Sequence, residues 1–147
     1  MAKKIGFGVA LWLIGFILYS GVIVLPLATI FQWIIFIVLS AIVTYALAMV
    51  FFKKNPGDIK AGAVVGLLWV IVGVAIDWAV VGIMAISGQV NPTQVVGDLY
   101  SQIWFYINLV VVIAAAALAA HLTHGGQLAP TQAQPPTQQP PQMPMQQ

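Results

Sequence analysis

Hydrophobic positions in this chain do not alternate with polar ones; they run together in four long blocks divided by short polar punctuation. The blocks cover about residues 5–25, 31–52, 61–86 and 100–120. Each is near the ~20 apolar residues that a helix needs to cross a ~30 Å hydrocarbon layer. A helix satisfies its own backbone hydrogen bonds, so such blocks predict an all-α integral membrane protein, built as a four-helix up-and-down bundle. The first block follows the basic start Met1-Ala2-Lys3-Lys4 and is 21 residues long. That is longer than the roughly 7–15 apolar residues of a signal peptide, so it reads as a retained span.

The punctuation carries its own signals. Asn55-Pro56-Gly57-Asp58 puts proline and glycine at the centre of a tight turn, where glycine is expected to supply a positive φ. Asp58 is then placed to cap the third helix. Asn91-Pro92 likewise reads as a cap and first helical residue. The helix it opens is expected to run on through Asp98 and Tyr100 into the fourth span, with Tyr100, Trp104 and Tyr106, like Trp33, near an interface. Beyond His121 and His124, residues 125–147 hold 8 Gln, 6 Pro and no charge. Such a composition predicts a disordered tail, residues 125–147, behind a membrane domain of residues 1–124. Pro141-Gln142-Met143-Pro144 has PxxP spacing but no basic anchor beside it, so it reads as solvated tail.

Composition narrows function. The chain is 61% hydrophobic and 5% charged, against about 25% charged in soluble domains. It contains five Lys, three Asp, two His, and no Arg, Glu or Cys. That excludes a basic nucleic-acid surface, a disulfide scaffold, a thiolate metal site and a cysteine nucleophile. A serine in a GxSx context and a histidine inside a span, as an intramembrane serine protease requires, are missing as well. His121 and His124 have a ligand-like spacing with no third ligand near, and are expected to sit at a helix end without metal. No enzyme, cofactor or metal is therefore expected. Partners are expected to be the lipid bilayer and, through the helices, another membrane protein or a second copy.

All five cations, Lys3, Lys4, Lys53, Lys54 and Lys60, fall at one end of a four-span arrangement. By the positive-inside rule that end is cytoplasmic, so a multi-pass protein of the cell (plasma) membrane with both termini in the cytoplasm is expected.

Asp77 is the acidic residue inside a span. A carboxylate in hydrocarbon must face protein or water, which makes it a functional-site candidate by default. At 1.5 Å per residue, Asp77, Asn108, Tyr19 and Ser40 fall in one layer on the side of the bundle away from the lysines. These four, with Ser20, form the expected polar cluster, with Asn108 hydrogen-bonded to Asp77. Gly62, Gly66 and Gly73 share the Asp77 face of helix three, and Gly8 and Gly15 share a face of helix one; these glycines are the expected packing surfaces. Trp12 and Trp69 lie on the same faces and are expected to fill space beside the glycines. On this basis the expected function is that of a non-enzymatic accessory or scaffold subunit associating through its helices. The alternative is a small oligomeric transporter or channel with Asp77 as its protonatable or ion-path residue.

Overall fold

The computed structural model describes residues 2–88 and 91–125. The tail expected to be disordered lies, apart from Gly125, outside the described residues. The described chain is all-helical: α1 (Ala2–Ile23), α2 (Thr29–Lys54), α3 (Ile59–Ile86), α4 (Pro92–Tyr100) and α5 (Ile103–Gly125). Four of these, α1, α2, α3 and α5, are long and apolar enough to cross a membrane. At ~1.5 Å per residue even the shortest reaches ~32 Å. Because the connections between α1 and α2 and between α2 and α3 are short, successive helices run in opposite directions. The lysines, the start of α1 and the end of α5 gather at one end of the bundle, called here the lysine end.

Neighbour relations differ from a simple up-and-down order. α1 packs on α2 and α3, and α5 also packs on α2 and α3. The consecutive helices α2 and α3 hardly touch and stand diagonally opposite, so the link at 55–58 crosses the bundle instead of following its edge. Helical phase on a single helix defines a face, but which neighbour occupies that face is a tertiary choice.

Helix ends follow from local chemistry. The Asp58 side chain accepts a hydrogen bond from the Ala61 amide at 2.8 Å, and Asn91 accepts one from the Thr93 amide at 3.1 Å. Both residues occupy the cap positions their sequence context suggested. The Gln32 side-chain amide donates to the carbonyls of Ile23 and Leu25 at 3.2 and 3.0 Å, closing α1 from the start of α2. The expectation for Gly57 requires correction. Among the described residues the positive φ belongs to Gly88, at 70°, just past α3. Gly57 is needed for room instead, because a Cβ there would lie 2.9 Å from Ala61 Cβ and 3.2 Å from Phe52 Cε1. The expected continuous helix through Tyr100 is also broken. The Ser101 hydroxyl donates to the Asp98 carbonyl at 3.2 Å, competing with the helical pattern, and the Gln102 carbonyl then accepts from Phe105 to start α5.

The tight core lies in the half nearer the lysines. Leu11, Ala48, Phe51, Phe52, Val65, Trp69, Val112, Ala116, Ala119 and Ala120 are buried together. Gly62 and Gly66 of α3 sit directly on the alanine face of α5. A Cβ on Gly62 would lie 2.7 Å from the Ala116 carbonyl oxygen and from Ala117 Cα, and one on Gly66 would lie 2.9 Å from Ile113 Cα. Phe7 stacks on Trp69 with ring centroids 6.1 Å apart and meets Phe51 edge-on at 5.4 Å. Trp69, 1% exposed, donates its indole N–H to the Lys4 carbonyl at 3.0 Å. Large side chains such as Ile17, Val24, Ile42, Val64, Ile71 and Val110 remain on the outside, as a lipid-facing surface demands.

Candidate functional site

The half of the bundle away from the lysines is hollow. A cavity of about 400 Å³ lies between α1, α2, α3 and α5, with Val95 of α4 at its edge. Its floor is made by Leu11, Trp69 and Val112 of the tight core. Four of the five residues expected to cluster, Asp77, Asn108, Tyr19 and Ser40, line this cavity. Ser20 does not; it is exposed outside the cavity wall. The α1 residues that line the cavity, Leu11, Trp12, Gly15, Phe16, Leu18 and Tyr19, form one arc of the helix, and Ser20 lies just past its edge.

The bond to Asp77 comes from a residue that helical phase alone had marked as filler. Trp12 Nε1 donates to Asp77 Oδ1 at 2.7 Å, at the short end of the N–H···O range. The expected Asn108 bond to Asp77 is absent. Asn108 Oδ1 is buried and has no hydrogen-bond partner among the described residues. The indole N–H of a membrane tryptophan needs an acceptor when removed from water, and that requirement was the signal available in the sequence.

The Trp12–Asp77 bond and the Trp69–Lys4 bond both join positions 65 residues apart. α1 and α3 run in parallel, so two bonds with the same offset, two turns apart, fix one register between them. Each tryptophan also faces a glycine of the other helix. A Cβ on Gly8 would be 3.2 Å from Trp69 Cδ1, and one on Gly73 would be 3.7 Å from Trp12 Cδ1. Gly8 is thus a packing glycine against α3, while Gly62 and Gly66 pack against α5. Gly15 requires correction: a Cβ there would meet nothing within 4 Å, and the residue lines the cavity instead of a helix contact.

Aromatic rings close the cavity toward the far end. Tyr19 packs against Trp33 at 5.7 Å and edge-on to Phe36 at 5.4 Å. Trp33, two turns or less from the start of α2, is 6% exposed and turned inward within this trio. Beyond the trio lies a more polar hollow of about 280 Å³ lined by Thr29, Gln32 and Gln102, with Tyr19 and Trp33 forming the wall shared by both spaces. No group of three or more His, Cys, Asp or Glu comes together among the described residues.

The four long apolar helices and their outward apolar side chains give the chain the build of a small multi-pass membrane protein. No family profile, curated protein or solved structure matches it.

Proposed function

We propose that the protein works as a non-enzymatic accessory subunit in a cell membrane, associating with another membrane protein through its outer helix faces, with both termini and the lysine end cytoplasmic. One observation supports this reading: the lysine-end half is filled by Phe7, Phe51, Phe52 and Trp69 and by the α3–α5 glycine-to-alanine contact, which leaves no open path through that half among the described residues. A protein of this build acts through what it binds. The test is native mass analysis after extraction in mild detergent from its own membranes at native expression. A second protein at fixed stoichiometry is the expected result; the chain alone, or only copies of itself, overturns the reading.

The cavity favours a second reading, a small oligomeric transporter in which Asp77 serves the transported species. A carboxylate facing a membrane cavity is the feature such a path uses. Under this reading Asp77→Asn abolishes flux in proteoliposomes while the helical bundle stays folded. Flux equal to wild type removes it.

A further inference from the structure

We propose that the far-half cavity binds a lipophilic amine, a molecule with a protonated nitrogen and an apolar body, through Asp77. The polar atoms in the cavity ask for a donor. Trp12 satisfies one oxygen of Asp77, and no other hydrogen bond reaches that carboxylate among the described residues. Asn108 also lines the space, although its Oδ1 is closed off from it. The protein has no basic group to offer the carboxylate, since its five lysines all lie at the other end and both histidines follow the fourth apolar block. A carboxylate oxygen left without a donor in a membrane cavity is costly, and a charged donor compensates more than a neutral one.

The walls fit the rest of such a molecule. Trp12, Phe16, Tyr19, Trp33, Phe36 and Phe105 present aromatic surface to the space. Aromatic faces carry negative charge density and attract ammonium groups, most strongly where water is excluded. The volume, about 400 Å³, falls within the ~300–1,000 Å³ usual for small-molecule sites. An anion would meet the Asp77 carboxylate with no cation to balance it, and a lipid acyl chain would leave the second Asp77 oxygen without a donor. The amine site is compatible with either role proposed above, because it concerns what the cavity holds and not whether the bundle moves it.

The experiment is isothermal titration calorimetry on the full chain in nanodiscs, with 4-phenylbutylamine and with the uncharged 4-phenylbutan-1-ol. The amine is expected to bind saturably and at least about tenfold more tightly than the alcohol, as a charged hydrogen bond warrants. Asp77→Asn should weaken amine binding by about tenfold or more and alcohol binding by much less. Gly15→Phe, which puts a ring into the cavity from a position with free space, should weaken both and decides the matter if Asp77→Asn does not fold. Equal affinity for amine and alcohol, amine binding untouched by Asp77→Asn, or both ligands indifferent to Gly15→Phe would each overturn the proposal.

Discussion

The two halves of this bundle use the same residue types to opposite ends. Near the lysines, glycine brings helix backbones together: Gly62 and Gly66 let α3 rest on the alanines of α5, and the remaining space is filled by stacked rings. In the far half, Gly15 has no neighbour within 4 Å of where a Cβ would be, and the rings line a space instead of filling it. Tryptophan divides the same way. Trp69 spends its N–H on a backbone carbonyl and locks a core, whereas Trp12 spends its N–H on the carboxylate at the cavity wall. A glycine or tryptophan in a membrane helix therefore has no fixed meaning. What opposes it on the next helix decides.

Substitution can separate the halves. The largest effect is expected for Trp69→Ala, which opens a void in the tight core and should destabilise the bundle by about 3–5 kcal/mol, read as unfolding in mixed micelles followed by circular dichroism. Gly62→Ala should come next at about 1–3 kcal/mol, since the new methyl meets backbone atoms that cannot turn aside. A loss below that range would mean that α3 and α5 part more easily than their contact suggests. Trp12→Phe keeps most of the ring and removes the donor to Asp77, so about 1–2 kcal/mol should be lost by the same measurement. If it costs as much as Trp69→Ala, the far half is not the looser one. Gly15→Ala is the smallest change and the sharpest contrast to Gly62→Ala. With open space around it, the helix-propensity gain should stabilise by up to about 1 kcal/mol, and a destabilisation would mean that another surface covers Gly15.

The four apolar helices were legible because length and unbroken hydrophobicity are local properties. The observed helices begin and end within a turn of the expected spans except where α5 continues to Gly125, and Asp58 and Asn91 cap where their neighbours suggested. The layer of Asp77, Asn108, Tyr19 and Ser40 was also legible, because depth in a span needs only the rise per residue. Pairing was not. The choice of Trp12 over Asn108 as the partner of Asp77 depends on the α1–α3 register, and the inward turn of Trp33 depends on Tyr19 across the first hairpin. Gly15 was misread because a small residue at helical spacing looks the same in sequence beside a contact and beside a void. Thr44, fully buried with no partner for its hydroxyl, shows the same limit, since nothing local distinguishes it from the half-buried Val43 next to it.

The diagonal placement of α2 and α3 has a consequence for how the chain assembles. α1 with α2, and α3 with α5, are two antiparallel hairpins, and the 55–58 link joins them corner to corner. The hairpins meet along two seams, α1 on α3 and α2 on α5, and in each seam the helices run the same way. A hairpin leaving the insertion machinery can thus lie in the bilayer as a finished unit before its counterpart arrives. The second then joins it sideways, as one half of a clasp closes on the other.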